Sequence, residues 1–229
     1  MRKSKNKKKI LPRFVFSMAV ILSLSAIGFS LNHDKKEKQP GILNEIETNL
    51  KTLENMTMVS QTREATVRRV MNIIDKYNRN MPSSIKYAIA NEIYEMAIKF
   101  NNLNVDLICA TITHESASSW NPKIVSNKGA MGLMQIMPET AKYLAAGENF
   151  HWNEAGKILF DPIRNIQLGS YYLSTLVEYY GIEGGLAAYN GGEKRAVMWL
   201  ANNKAPGILW QETQRYVPAI IKLYNKYKN

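Results

Sequence analysis

The chain has 229 residues and a formal net charge of +11, with 45% apolar and 21% charged residues. This length suits one compact domain with appendages, and the composition is that of a globular protein rather than a disordered one. Seven positive charges and no acidic residue lie within residues 1–13, so the remainder carries only +4. The positive excess is local and precedes an apolar run, and we therefore expect no nucleic-acid partner.

An uncharged apolar run covers residues 14–31, directly after the basic segment. Its length lies between that of a signal-peptide core and a minimal membrane span, so it predicts either a membrane anchor or a cleaved signal peptide. The preceding positive charge predicts that residues 1–13 stay in the cytoplasm and that the following residues are exported to the cell envelope, membrane-anchored or secreted.

The single cysteine, Cys109, excludes an internal disulfide and is expected to be an inert apolar residue.

Residues 32–80 are predicted to form a linker and a helical stalk. The polar stretch 32–41 ends in Pro40-Gly41 and has the composition of a linker. Two sets of apolar residues then follow helical spacing, namely Leu43, Ile46, Leu50 and Leu53, and Val67, Val70, Ile74 and Tyr77. Such narrow seams indicate either a stalk with a short coiled coil or helices that pack on the next domain. The helices over 42–80 are also a candidate surface for partners in the envelope machinery.

From residue 81 to residue 229 the pattern is that of an all-α domain. Helix start and stop signals delimit the segments Ile85–Phe100, a helix capped by Asn104, Pro138–Gly147, Pro162–Gly181, Gly185–Asn190, Lys194–Asn202 and Glu212–Lys228. Asn104 is a typical N-cap residue, and Asp161 followed by Pro162 is a typical helix start. No stretch alternates with the period of a strand and ends in a hairpin turn.

Glu115 lies on the apolar stripe of the helix that follows Asn104. At about 100° per residue, Val105, Ile108, Ile112 and Glu115 fall within an arc of about 80°. A carboxylate in apolar surroundings is costly when charged, so its pKa should rise. A raised carboxyl pKa is what a general acid needs near neutral pH, and Glu115 is therefore the candidate catalytic residue.

The loop after Glu115 has the composition of a ligand-binding loop. Gly129 and Gly132 allow the backbone to approach a ligand closely, while Ser116 and Ser126 supply hydrogen bonds. Gln135 is a single amide between apolar residues, and a buried amide must be satisfied either by backbone groups or by a bound polar ligand.

Two later segments carry further candidate ligand-binding side chains. Tyr189-Asn190 precedes Gly191-Gly192, a pattern that suits a cleft wall that binds sugar by ring stacking and hydrogen bonds, and equally a helix stop. Tyr216 lies near the start of the last predicted helix, where it is a candidate either for the site or for the core.

Six short motifs follow one another in the chain: His114-Glu115-Ser116; Trp120-Asn121-Pro122; residues 129–138; Phe160-Asp161-Pro162 with Asn165 and Gly169; Ala188-Tyr189-Asn190; and Glu212-Thr213 with Tyr216-Val217. In this order and spacing, over some 120 residues, they resemble the catalytic domain of soluble lytic transglycosylases, bacterial enzymes that cut peptidoglycan strands. One departure is that Ser118-Ser119 stand as extra residues before Trp120.

The resemblance implies that residues 81–229 form a lysozyme-like α-helical domain with a substrate groove. It implies Glu115 as the catalytic acid and base, with the Tyr216 hydroxyl close to it. The residues implied to bind the sugars, line the groove or shape its Tyr216 end are Ser116, Ser126, Met134, Gln135, Met137, Tyr189, Asn190 and Glu212.

The reaction of the resembled family explains why the motif region offers Glu115 alone, although most glycosidases use two carboxylates. Glu115 would protonate the glycosidic oxygen between N-acetylmuramic acid and N-acetylglucosamine. It would then take the proton of the muramic acid 6-hydroxyl as a 1,6-anhydro ring closes. The implied partner is the peptidoglycan strand, and the implied reaction needs neither metal nor cofactor.

Two other functions stay open at this point: a lysozyme-type hydrolase that uses water, and a glycan-binding module without activity. A zinc protease is excluded because the H-E-x-x-H pattern that begins at His114 has Ser118 in place of its second histidine. The Gly129-x-x-Gly132 loop does not indicate an RNA-binding KH module, since no strands flank it.

Overall fold

The computed structural model describes residues 39–147 and 154–228. Within these ranges the chain forms eight helices: α1 Gln39–Tyr77, α2 Ser83–Lys99, α3 Val105–Glu115, α4 Pro138–Gly147, α5 Ala155–Leu159, α6 Pro162–Gly191, α7 Glu193–Ala201 and α8 Gln211–Lys228. The described ranges contain isolated β-bridges of Met131 with Val125 and with Ile136, but no strand. The prediction of an all-α domain is confirmed.

The chain divides into two units, residues 1–58 and residues 59–229. The described part of the first unit is helical, and its four seam residues, Leu43, Ile46, Leu50 and Leu53, are exposed. Among the helices of the described ranges, none combines the length and the apolar character that a membrane span requires. The predicted anchor or signal peptide over 14–31 lies outside those ranges, as does the basic segment 1–13.

The second unit contains the rest of α1, which packs into the hydrophobic core. Val67, Val70 and Ile74 are buried there. This burial favours the alternative in which the helix packs on the main domain, and the compact unit that contains it begins at residue 59. One helix replaces the two that were expected, because residues 54–66 contain neither proline nor glycine to interrupt it.

Local signals set the ends of the helices as the sequence predicts. The Asn104 side chain accepts a hydrogen bond from the Leu107 amide, and the Asp161 carboxylate accepts from two amides at the start of α6. Gly181 breaks the helical backbone at φ 67°, where the sequence predicts a stop, and helical geometry then resumes as far as Gly191. The freedom of glycine at positive φ makes this break possible.

Helix α3 lies inside the second unit, with residues 107 to 113 all buried. It packs against α2 and α8, while α6 packs against α2, α7 and α8. Because α3 ends at Glu115, the buried helix delivers this carboxyl to the edge of the core, and the loop that follows is free to shape a cleft around it.

Candidate active site

The last turn of α3 places Glu115 and fixes the sharp exit of the chain behind it. The amide of Ser118 donates a 2.7 Å hydrogen bond to the Thr113 carbonyl. Ala117, Ser118 and Trp120 all have positive φ, between 48° and 59°. This conformation is costly for residues with a side chain, and its concentration next to Glu115 is typical of a functional site.

Glu115 meets a tyrosine hydroxyl from the last helix. The hydroxyl of Tyr216 on α8 donates a 2.5 Å hydrogen bond to Oε1 of Glu115. The Tyr216 side chain is only 2% exposed, and the ring of His114 contacts its ring edge to face at 4.8 Å between centroids. The predicted proximity of the two catalytic candidates is present in the structure.

Burial raises the pKa of Glu115 from 4.5 to about 7. The hydrogen bond from Tyr216 lowers the pKa, and the negative charge of Glu212 raises it, but both effects are smaller than that of burial. The pKa of Tyr216 is raised well above 10, first by burial and then by the Glu115 charge. Near neutral pH, Glu115 therefore exchanges between acid and carboxylate while Tyr216 remains a hydrogen-bond donor.

Two cavities of about 380 Å³ and 560 Å³ meet at Glu115. Both are lined by five of the predicted site residues, which are Glu115, Ser126, Gln135, Asn190 and Glu212. The first cavity also contacts Met137 and Tyr189, and the second contacts Tyr216. The structure therefore gathers eight of the ten predicted residues around one cleft with a carboxyl at its centre.

The Gln135 amide is satisfied by the backbone of its own loop. Its Nε2 donates to the Gly132 carbonyl at 2.8 Å and to the Ile124 carbonyl at 3.3 Å. Gln135 has a positive φ of 49°. Of the two alternatives that the sequence left open, backbone partners thus satisfy the Nε2 donors, while the side chain still lines both cavities.

Asn165, on α6, holds the loop that carries Gln135 by hydrogen bonds. Its completely buried side chain accepts a hydrogen bond from the Met134 amide at 2.7 Å and donates to the carbonyls of Met131 and Leu159, each at 3.0 Å. Three partners on two segments fix the loop relative to α6. Asn165 belongs to one of the six motifs, and the structure assigns it a supporting role that the sequence did not specify.

Tyr189 and Asn190, at the end of α6, also line the cleft. The Tyr189 hydroxyl donates to the Met134 carbonyl at 2.8 Å, and Asn190 Oδ1 accepts from the Thr213 hydroxyl at 2.7 Å. The pKa of Tyr189 is raised well above 10, mainly by burial. These bonds hold both side chains in place against the cleft.

Two of the residues predicted to bind sugar or line the groove lie outside the cleft. Ser116 and Met134 are each 0% exposed, and neither lines the cavities at Glu115. The Ser116 hydroxyl accepts a hydrogen bond from the Trp120 amide at 3.1 Å and so stabilises the turn after α3. Met134 packs in the core, whereas Met137, three residues later, is 40% exposed and lines the cleft as predicted.

Lys128 is a cleft residue that the sequence did not single out. Its Nζ lies 2.8 Å from Glu212 Oε2, so an ion pair joins the loop over 126–130 to the start of α8. This hydrogen bond is the main reason why the pKa of Glu212 lies below its ordinary value. The sequence signal that could have indicated Lys128 is its position beside Gly129, within the loop that has the composition of a ligand-binding loop. Glu212 is thus a second carboxylate in the cleft, which the motif analysis did not count as one.

The described residues include no group of three or more histidine, cysteine or acidic side chains arranged to hold a metal ion. Cys109 is buried in the core, and burial raises the pKa of its thiol. A buried, protonated thiol has the character of an inert apolar residue.

Comparison with known proteins identifies a family for this chain. A family model described as the transglycosylase SLT domain matches residues 92–209. The soluble lytic murein transglycosylase of Escherichia coli K12 is 35% identical over 120 residues, which are 48% of this chain and 18% of that protein. The chain spans less than half the length of the curated relatives it matches.

Solved structures share the fold. An inactive mutant of the lytic transglycosylase Slt from Pseudomonas aeruginosa matches 59% of this chain and 23% of its own, with 28% identity and a TM-score of 0.53. The soluble lytic transglycosylase SLT70 from Escherichia coli matches 91% of this chain and 40% of its own, with 23% identity and a TM-score of 0.52. The family model covers more than half of the chain, and the chain belongs to the transglycosylase SLT domain family.

Proposed function

We propose that the chain is a peptidoglycan lytic transglycosylase. It cleaves the β-1,4 bond between N-acetylmuramic acid and N-acetylglucosamine and leaves a 1,6-anhydro ring on the muramic acid. The observation that carries this proposal is the hydrogen-bonded pair of Glu115 and Tyr216 at the meeting point of two cleft cavities. Membership of the family and relatives named lytic murein transglycosylases support the same substrate class.

The geometry supports one carboxyl acting twice. Glu115, kept protonated by burial, gives its proton to the glycosidic oxygen as the bond to the muramic acid C1 breaks. The resulting carboxylate, stabilised by the Tyr216 hydroxyl, then takes the proton from the 6-hydroxyl as its oxygen bonds to C1. Each turnover returns the proton to Glu115, and the reaction consumes no water.

The remaining cleft residues serve to hold the glycan. Asn190 and Ser126 add polar groups to the lining of both cavities at Glu115, and Met137 adds an apolar surface to the first. The Tyr189 ring lies against the same cavity, with its hydroxyl bound to the backbone. Glycan strands combine apolar ring faces with amide and hydroxyl groups, which suits this lining.

A second candidate function is hydrolysis, and the observation that favours it is Glu212. A hydrolase of the inverting type needs a second carboxylate to activate water. Glu212 lines both cavities at Glu115, and its lowered pKa keeps it ionised. Its ion pair with Lys128, however, uses one carboxylate oxygen at 2.8 Å.

Digestion of purified peptidoglycan by the full chain distinguishes these functions. We expect muropeptides about 18 mass units lighter than hydrolytic products and resistant to borohydride, since ring closure replaces the addition of water. Glu115→Gln should yield no product, because it retains the shape of the side chain but not the titrating proton. Reducible products that disappear in Glu212→Gln would establish the hydrolase. Strand binding without any product would leave a glycan-binding module.

We also infer that the chain acts on the exported side of the cytoplasmic membrane, with residues 14–31 as anchor or signal peptide. The charge asymmetry around that segment supports this orientation. The exposed residues of α1 over 41–58 remain a candidate surface for envelope partners. The intact mass of the chain recovered from membranes tests the two forms, since a cleaved signal peptide would remove residues 1–31 or nearly so.

A further inference from the structure

A chain of hydrogen bonds runs from the loop behind Glu115 to the end of α8 and on to the end of α1. The indole Nε1 of Trp120 lies 3.0 Å from the Thr113 hydroxyl, which lies 2.9 Å from the Tyr227 hydroxyl. The Tyr227 hydroxyl in turn donates to the Tyr77 hydroxyl at 3.1 Å. Four side chains from α1, α3, α8 and the loop after α3 are thereby connected.

The direction of these bonds is fixed by chemistry. An indole nitrogen only donates, so the Thr113 oxygen accepts from Trp120. Tyr227 has one proton, which it gives to Tyr77, so Thr113 donates to Tyr227. All three bonds point the same way, from Trp120 to Tyr77, and bonds in such a row strengthen one another.

This chain of hydrogen bonds joins residues that lie before and after Glu115 in the sequence. Thr113 lies two residues before Glu115 and is completely buried, as is Trp120 five residues after it. The Trp120 carbonyl is also held by the side-chain amide of Asn78, which follows α1. Hydrogen bonds therefore hold the strained turn between Glu115 and Trp120 at both of its ends.

Three of the residues that hold this turn by hydrogen bonds lie outside the segment that the family model matches. That match covers residues 92–209, whereas Tyr77 and Asn78 precede it and Tyr227 follows it. Tyr216, which contacts Glu115 directly, lies on the same helix as Tyr227. Eleven residues bring an ideal helix back to within about 20° of the same face, and both tyrosines form hydrogen bonds with residues in the last turn of α3.

We propose that Tyr227 and Tyr77 are positioning residues for catalysis. The hydrogen-bond chain that they complete fixes the last turn of α3, so that the Glu115 carboxyl meets the Tyr216 hydroxyl. This inference rests on the proposed transglycosylase function and extends it to α1 and to the end of α8.

Tyr224 provides a matched control on the same helix. Its hydroxyl accepts a 2.7 Å hydrogen bond from the side-chain amide of Asn104, at the opposite end of α3. That end is about 15 Å from Glu115 along the helix. Replacing Tyr224 or Tyr227 by phenylalanine removes a single hydroxyl from α8 in each case, but only Tyr227 is connected to the turn behind Glu115.

The test compares kcat, KM and the pH profile of the full chain with its Tyr227→Phe, Tyr77→Phe and Tyr224→Phe variants on glycan strands. In Tyr227→Phe we expect kcat to fall about tenfold with KM unchanged, because a small displacement of a catalytic group is costly. The midpoint of the alkaline limb should also shift, because displacement of Glu115 changes both influences on its pKa, namely burial and the hydrogen bond from Tyr216. Tyr77→Phe should change both in the same direction, and Tyr224→Phe neither.

The profile reports on Glu115 because the other groups that face it are unchanged in these variants. They are His114 on α3, Tyr189 on α6, and Glu212 and Tyr216 on α8.

Thr113→Ser, which retains the hydroxyl, should keep the profile of the unmodified chain, whereas Thr113→Val should reproduce that of Tyr227→Phe. This pair decides the matter if circular dichroism shows that Tyr227→Phe does not fold.

Equal kcat and equal pH midpoints in Tyr227→Phe and Tyr224→Phe would overturn the proposal, as would equal profiles in Thr113→Ser and Thr113→Val. An unmodified chain that releases no anhydro product would instead refute the proposed function. The two failures are therefore distinguishable in one set of assays.

Discussion

The Tyr216 hydroxyl donates its 2.5 Å hydrogen bond to Glu115 across a sequence separation of 101 residues. This bond and the burial of the same carboxyl have opposite effects on its proton affinity. Burial disfavours the charged form, and the hydrogen bond favours it; burial is the stronger, so the pKa of Glu115 rises to about 7. A carboxyl balanced in this way can serve as acid at one step and as base at the next.

The activity should be lost on the alkaline side with a midpoint near pH 7. Only protonated Glu115 can begin the reaction, and its pKa of about 7 sets the limb in kcat/KM. Initial rates on glycan strands between about pH 5 and about pH 9, at constant ionic strength, check this. An alkaline limb near the ordinary glutamate pKa of 4.5 would contradict the role of burial.

Tyr216→Phe should lower turnover and move the alkaline limb upward. The lost hydroxyl no longer stabilises the Glu115 carboxylate, so the pKa of Glu115 rises further while burial is retained. Loss of a charge-assisted hydrogen bond of about 1.5 to 3 kcal/mol corresponds to a fall in kcat of roughly tenfold to a hundredfold. The pH profile of the variant, compared with that of the unmodified chain, gives the direction in which the Glu115 pKa moves. A downward shift would contradict the role of the Tyr216 hydroxyl as a donor to the carboxylate.

Glu115 should destabilise the folded chain as the pH rises from about 4.5 to about 7. Its pKa is higher in the folded state than in the unfolded state, so the folded state binds more protons in this window, and the free energy of unfolding falls until the pH passes about 7. The full effect is about 3 kcal/mol. Urea unfolding of the unmodified chain and of Glu115→Gln at several pH values isolates it, since other titrating groups cancel in the difference. Parallel stability curves would contradict it.

Gly132→Ala should unfold the loop that carries Gln135. Gly132 has a φ of +80°, and an added Cβ would lie 2.2 Å from both Asn165 Nδ2 and the Leu159 carbonyl oxygen. Strain and displacement of Asn165 together should cost about 3 kcal/mol or more. Gly129→Ala is the matched control, because its φ of +87° is similar but no atom lies within 4 Å of the added Cβ. Thermal unfolding of both variants should show the larger loss in Gly132→Ala.

Local signals in the sequence were sufficient for much of the fold, since a cap acts within one turn of its helix. Asn104 and Asp161 cap the helices that they were expected to cap. Glu115 was identified by its place on an apolar stripe, and burial of that stripe does raise its pKa. Residues 107 to 113 are buried on every face of α3, however, so the apolar stripe alone did not determine the burial of Glu115.

Local patterns in the sequence are less informative where the chain leaves regular structure and where contacts join distant segments. Helical or strand periodicity does not apply between Gly132 and Met137, because positive φ values at Gly132 and Gln135 redirect the side chains. Met134 consequently enters the core while Met137 faces the cleft. Likewise, the ion pair of Lys128 with Glu212 joins segments far apart in the sequence, and no local pattern reports such a contact.

The boundary of the domain provides the last prediction. Val67, Val70 and Ile74 precede the boundary at residue 81 that the sequence indicated, yet all three are buried in the core of the second unit. Each buried side chain of this type contributes about 1.5 to 3 kcal/mol, and their sum is comparable to the whole stability of a domain, about 5 to 15 kcal/mol.

A fragment that starts at residue 59 should therefore fold and retain activity, whereas one that starts at residue 81 should not fold stably. Thermal unfolding followed by circular dichroism, with peptidoglycan digestion alongside, compares the two. The shorter fragment also lacks Tyr77 and Asn78, so any of it that does fold should still show a reduced kcat. Equal melting temperatures for both fragments would mean that α1 is dispensable, and the compact unit would then begin after it.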